Sequence, residues 1–294
     1  MNEALSVVYR ELVRRHESGE RTLFLSLDSM AYLTEQAELA GATGVSARTN
    51  AGESVNEPTD RVEKPTRSVG LPVEMGVPAP PKLHLEEGDR LSQLDQLRQI
   101  ALNDPWCLSQ VKKKKKVVFG TGSVEARIFF CGEAPGAEEE TEGVPFVGPA
   151  GQLLTRIINA MGLSREEVYI ANIMTYRPPM ESEVGNRAPT EEEMRYCLPY
   201  LLAQLELVDP LVVVALGRTA VDGLLGVDRK RKITHFRGNW QRFEKWDLMP
   251  TFHPSYLLRN DGLAVKRQVW EDMLAVMERV GMVVSDKQRG FFLK

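Results

Sequence analysis

Apolar residues recur along this chain with two different periods. Between residues 91 and 284, short unbroken apolar runs alternate with segments whose apolar positions return every three or four residues. The runs at 116–119, 126–131, 168–172, 211–216 and 247–252 predict strands buried on both faces. The segments at 91–102, 150–161, 190–207, 218–225 and 264–281 predict helices. Such alternation predicts an α/β fold. Its form is a three-layer α/β/α arrangement around a central, mostly parallel sheet of four to five strands. Right-handed crossovers would then gather the C-terminal strand ends along one edge of the sheet.

The pattern differs upstream. Leu5, Val8, Tyr9, Leu12 and Val13 have helical spacing over 2–17. Residues 21–26 predict a short strand, and 29–39 a helix with Asp28 as its cap. Residues 1–40 are therefore expected to form a small N-terminal α/β module, which carries no chemical motif. Residues 41–90 turn to Gly, Ser, Thr, Pro and charge, ending in Val77-Pro78-Ala79-Pro80-Pro81. That composition predicts a disordered linker with a semi-rigid end. The chemistry is expected in a domain over 91–284, followed by a tail over 285–294.

Several predicted strands run into groups with chemistry. The 126–131 strand leads into Gly132-Glu133-Ala134-Pro135-Gly136, and 168–172 ends at Asn172. The 211–216 strand is followed by Gly217-Arg218, and 247–252 by His253-Pro254. Open α/β sheets place ligands at such strand ends. A carboxylate can orient or activate water. An Asn amide offers donors and an acceptor that match the edge of a uracil-like base. Phe146, in the loop after Glu133, offers a face for a flat ring. A His can donate to an oxygen that becomes anionic as a leaving group departs. As a set, Glu133, Phe146, Asn172 and His253 describe a pocket for an extruded pyrimidine whose glycosidic bond is hydrolysed.

Charge and cysteine content refine this picture. The net charge of −4 over 294 residues conceals an uneven spread. The first 90 residues are acidic, the remainder nearly balanced, and Lys112 to Lys116 is the densest basic run. A local patch of this kind, with Lys112 and Lys114 as candidates, could meet phosphates. Three widely spaced cysteines, Cys107, Cys131 and Cys197, form neither a disulfide framework nor a zinc pattern. No apolar run reaches the roughly 20 residues that span a bilayer. The N-terminus has no signal-peptide core, so a cytoplasmic protein without membrane contact is expected.

The ordered motifs resemble those of family 4 uracil-DNA glycosylases. Gly132 to Gly136, with Gly143-Val144-Pro145-Phe146-Val147-Gly148-Pro149-Ala150-Gly151-Gln152-Leu153-Leu154, resembles the family's first motif. Val168 to Asn172, Arg177-Pro178-Pro179 and Asn186-Arg187-Ala188-Pro189-Thr190 follow in order. Ala215-Leu216-Gly217-Arg218 and Thr251 to Arg259 complete a series covering about Leu102 to Val280. The resemblance implies roles at these positions. Glu133 would handle the attacking water and His253 would stabilise the uracil anion. Gly132, Ala134, Pro135, Gly136, Phe146 and Asn172 would hold the base. Gly217, Arg218, Ser255, Tyr256, Leu257 and Arg259 would contact DNA, with Leu257 or a neighbour filling the vacated stack. It further implies a monomer acting on uracil-containing single- or double-stranded DNA. Glu139 or Glu140 would crowd the pocket where relatives use an aromatic residue to exclude thymine.

The chain departs from that family at its four-iron, four-sulfur cluster. Cys107 and Cys197 match two of the four ligand positions, but Asp104 and Tyr176 stand at the others. Asp and Tyr are poor substitutes for thiolates, so no cofactor is expected. The loss also leaves an alternative open, a uracil- or DNA-binding protein with little or no catalysis. A covalent uracil trap is a third reading. It would need a His-bearing basic loop after the Asn172 strand, whereas the similar fragment Arg229 to His235 lies elsewhere.

Overall fold

A computed structural model describes residues 76–180 and 185–293, and the expected module at 1–40 and most of the expected linker lie outside them. Residues 76–89, also read as linker, run extended, and Val77, Leu83 and Leu85 pack against the core. The folded body therefore starts at Gly76 and not at residue 91, because these apolar side chains have a surface to cover.

The sheet has six strands: β1 (Thr121–Gly122), β2 (Ile128–Gly132), β3 (Tyr169–Asn172), β4 (Val212–Leu216), β5 (Gln241–Phe243) and β6 (Trp246–Thr251). Their order is β1-β3-β2-β4-β6-β5. The inner four are parallel and the two edges antiparallel. The expectation of four to five strands thus gains short edges. β5 and β6 form a hairpin whose turn residue Glu244 has φ +51°. The 116–119 run is not a strand. Val117, Val118 and Phe119 are buried, but the backbone bonds of this stretch, Lys116 N–H to the Glu140 carbonyl and Val118 N–H to the Thr175 carbonyl, do not continue into a ladder, and Gly120 N–H turns to the Gln204 side chain.

Two helical layers cover the faces, following the period-two alternation of each strand. Phe129, Cys131, Tyr169, Val213 and Ala215 face one side. They pack on α1 (Arg90–Leu102), α2 (Pro105–Gln110), α5 (Glu191–Val208) and α6 (Arg218–Leu225), helices numbered in chain order. Ile128, Phe130, Ile170, Val212 and Val214 face the other. They pack on α4 (Pro149–Met161) and α9 (Leu263–Arg279). The remaining helices are short: α3 (Glu139–Glu142), α7 (Ile233–Phe236), α8 (Pro254–Arg259) and α10 (Asp286–Arg289). The stretch read as a tail is anchored. The Trp270 indole donates to the Gln288 carbonyl at 2.6 Å, and Phe291 lies 5.3 Å from the Trp270 ring.

Register sets the level of the strand ends. Gly132 pairs with Asn172, and Leu216 with Thr251. A buried carboxylate then fixes the end of β6. Asp272 of α9 accepts from Thr251 Oγ1 at 2.5 Å and from Arg237, whose guanidinium lies over Phe252. Removing one member of a buried pair strands the other, which costs about 3–5 kcal/mol. Asp272→Ala is expected to lose that much in urea unfolding. Arg242→Ala, which breaks the exposed pair with Asp247, should lose less than about 1 kcal/mol. Equal losses would contradict the assignment.

Candidate active site

The strand ends open into a cleft of about 830 Å³. Glu133, Ala134, Gly136, Phe146, Asn172, Gly217, Arg218, His253, Ser255 and Arg259 all line it. Gly132 is buried beneath two of these side chains, Asn172 and Phe146, and is not itself part of the lining. A Cβ there would lie 2.3 Å from Asn172 Oδ1 and 2.4 Å from Phe146 Cζ, so only glycine lets these groups converge. Pro135 is buried in the same turn.

Phe146 is held in an unusual conformation. Its φ is +55°, rare for an aromatic residue, and such strain persists only where the surroundings over-determine it. Arg165 donates to the carbonyls of Pro145 and Phe146 at 2.8 and 3.0 Å. Gly151 leaves room for the Phe146 carbonyl, which would lie 1.9 Å from a Cβ at that position. The Phe146 ring stands 5.8 Å from the His253 ring.

Glu139 joins the two parts of this loop. Its buried carboxylate accepts from Gly136 N–H at 3.0 Å, Val147 N–H at 3.1 Å and Gly148 N–H at 3.0 Å. The turn bearing Glu133 is thereby tied to the segment after Phe146. Glu140 is buried too, but points to Arg177 at 2.8 Å and Lys115 at 3.4 Å. Arg177 also donates to Asn186 Oδ1 and to the Gly185 carbonyl, and all three residues line the cleft.

Each candidate polar group has a defined state. Burial raises the Glu133 pKa above the usual carboxylate value, and a hydrogen bond with Thr219 partly offsets this. Asn172 is buried, and its Oδ1 has no partner among the described residues. His253 caps α8: Nδ1 accepts from Ser255 N–H at 3.1 Å and lies 2.8 Å from Ser255 Oγ. An Nδ1 that accepts carries no proton, so the neutral ring carries its proton on Nε2. Burial, with the positive Arg259 nearby, lowers the His253 pKa to about 4. Gly217, at φ +88°, fits closely because a Cβ would meet His253 Cβ at 2.9 Å.

Other expected contacts lie differently. Leu257 is buried with Phe252 and Val269, while Leu258 is exposed. The helical phase of α8 thus turns Leu257 inward and leaves Leu258 as the apolar side chain this turn presents outward. Tyr256 packs on Phe252 at 4.7 Å. Lys112 and Lys114 are exposed outside the cleft lining, in a loop where Lys114 has φ +69°. Lys115 and Lys116 bind Thr141 Oγ1 and the Glu142 carbonyl, so part of that run holds the loop. Thr219 and Arg165 were not legible as site residues, and Glu139 was expected, as an alternative to Glu140, only to crowd the pocket. Only the Glu-rich run around Glu139 gave any signal.

The four positions matching the cluster ligands do meet, but as an organic network. Cys107 Sγ and Cys197 Sγ lie 3.3 and 3.6 Å from Thr175 Oγ1. Asp104 accepts from Cys107 N–H at 2.7 Å, Tyr200 at 2.8 Å and Tyr196 at 2.9 Å. The Tyr176 ring is fully buried beside them. Among the described residues no three His, Cys, Asp or Glu side chains are placed to share a metal ion. Two thiols, a carboxylate already saturated by donors and a phenol do not fit a cluster that needs four thiolates.

A sequence model of the uracil DNA glycosylase superfamily matches residues 119–274. Type-4 uracil-DNA glycosylase of Thermotoga maritima is 47% identical over 167 residues, 54% of this chain and 81% of the relative. That of Saccharolobus solfataricus is 40% identical over 177 residues, 57% of this chain and 77% of the relative. That of Archaeoglobus fulgidus is 36% identical over 187 residues, 62% and 88% of the two chains.

The state of His253 makes a direct prediction. Its folded pKa is depressed, so the neutral ring contributes stability above about pH 6.5, and this is lost as the pH falls toward 4. In an NMR titration the His253 ring should stay neutral down to about pH 4. A midpoint near 6.5 would show that the ring is not buried as described.

Proposed function

We infer the function from a premise that the comparisons establish: this chain belongs to the uracil DNA glycosylase superfamily. It is a DNA-repair hydrolase that removes uracil from DNA and leaves an abasic site. In our reading it acts as a monomer, on uracil in single or double strands.

The observation that carries the assignment of roles is the orphaned Asn172 Oδ1 beside the Phe146 ring. A buried acceptor without a partner is unfavourable by about 1–3 kcal/mol. A uracil stacked on Phe146 brings an N3–H donor to satisfy it. Cytosine has no such hydrogen, so the same acceptor discriminates between the bases. Flipping the base out of the duplex costs a few kcal/mol, which the exposed Leu258 would help offset by entering the vacated stack.

Hydrolysis then divides between two groups. Glu133 as the carboxylate orients a water and takes up its proton while the water oxygen bonds to C1′. The bond from C1′ to N1 breaks, and the electron pair leaves with uracil as an anion. The Nε2–H of neutral His253 donates to an oxygen of that anion. A neutral donor suits this task, since it stabilises the developing charge without first losing a proton. The raised pKa of Glu133 places the acid limb of activity above the usual carboxylate range.

We also propose that the chain works without the cluster. The contacts of Asp104 link α2 to α5, the task that the metal would perform in the family. Purified protein should show no iron absorption near 400 nm, and about four irons per chain would overturn this reading. Asp104→Ala should lower stability by about 1.5–3 kcal/mol, through the loss of hydrogen bonds to a charged acceptor.

The function is tested by free uracil released from uracil-containing oligonucleotides. Wild type should release it. His253→Ala should be slower by roughly 10²–10³-fold and Glu133→Gln by roughly 10²–10⁴-fold. Retained uracil-DNA binding with no release by wild type would favour a binding protein instead.

A further inference from the structure

The second basic run, Arg229 to Lys232, is not used by the site described above. It follows α6 in a loop built around buried anchors. Arg231 turns inward, where it pairs with Asp222, donates to the Gly226 carbonyl at 2.9 Å and lies over the Phe236 ring. Ile233 and Phe236 pack against the core. With these residues pointing in, Arg229, Lys230 and Lys232 point out, and all three are exposed.

The nearby acids are already committed. Asp222 holds Arg218 at 3.1 Å as well as Arg231, and Asp228 Oδ1 accepts from the Lys230 backbone N–H at 2.8 Å. None of the three outward cations is ion-paired among the described residues. The loop also adjoins the cleft. Arg218 lines the cleft and donates through Nη2 to the Asp228 carbonyl at 3.2 Å, so the arm begins at the rim.

We propose that Arg229, Lys230 and Lys232 form an anchored arm that binds the phosphates of the DNA duplex beside the cleft. This rests on the uracil-DNA glycosylase reading. The arm's charges are held apart by an inward-pointing framework, and among the described residues no carboxylate pairs with them. Lysines and arginines in that state bind phosphates by releasing condensed counterions, so their contribution appears in the salt dependence of binding. The Lys112 to Lys116 run differs, because Lys115 and Lys116 already serve the protein's own loop.

The test compares wild type with the triple variant Arg229→Ala, Lys230→Ala, Lys232→Ala, using the full chain. Binding to a uracil-free duplex is measured over a range of salt concentrations, and urea unfolding checks that the fold is unchanged. Each phosphate contact contributes about 0.9 to the slope of log affinity against log salt, so the slope should fall by about 2–3. Lys287→Ala, which removes an exposed cation in α10, should leave the slope unchanged. An unaltered slope in the triple variant, or an equal fall in Lys287→Ala, would overturn the proposal. Uracil release by wild type, run in parallel, separates the two readings. Release with an unaltered slope removes the arm and leaves the enzyme. No release with a reduced slope removes the enzyme and leaves a DNA-binding arm.

Discussion

The site depends on the register of four parallel strands. Because Gly132 pairs with Asn172 and Leu216 with Thr251, four loops leave the sheet at one level and face a common space. A slip of one residue would turn every side chain of a strand to the opposite face. Buried runs such as Ile128 to Cys131 and Val212 to Leu216 resist that slip, since each face packs on its own helical layer. The missing Cβ at Gly132 completes the geometry. It lets Phe146 and Asn172 approach from different elements, which no larger residue at this position would allow.

Around that register, the protein uses buried polar contacts to hold strained or unsatisfied groups. Glu139 binds three amides and keeps the Glu133 turn against the Phe146 segment. Arg165 holds the Phe146 carbonyl, and Asp272 holds the end of β6 below His253. These contacts maintain Phe146 at positive φ and leave Asn172 Oδ1 without a partner. Preorganisation of this kind places the cost in folding, before a base arrives. The Asp104 network makes comparable buried contacts further from the cleft, where side-chain hydrogen bonds link α2 to α5.

Much of this was legible in the sequence, for reasons that differ by residue. The inner strands declared themselves as apolar runs, and Glu133, Asn172 and His253 stood at or just beyond their ends. β5 was missed because three residues at an edge carry no periodic signal. The run at 116–119 was misread because an apolar, buried stretch does not by itself distinguish a strand from a segment with isolated backbone bonds. Glu139 sits in an acidic run that resembles a solvated surface, and only the fold shows which carboxylate meets the amides of residues 147 and 148. Leu257 and Leu258 differ by a single helical step, too fine for a loop motif to resolve. The wedge residue and the arm at 229–232 both depend on which side chains turn inward.

The central claim is that Asn172 Oδ1 waits for the N3–H of a flipped uracil. The most direct measurement compares release of the base from oligonucleotides carrying uracil or N3-methyluracil at the same position. The methyl group removes the donor and leaves the glycosidic bond and phosphate backbone unchanged. Release should be lost or greatly slowed for N3-methyluracil, while affinity for the surrounding DNA persists. Equal release of both bases would contradict the account.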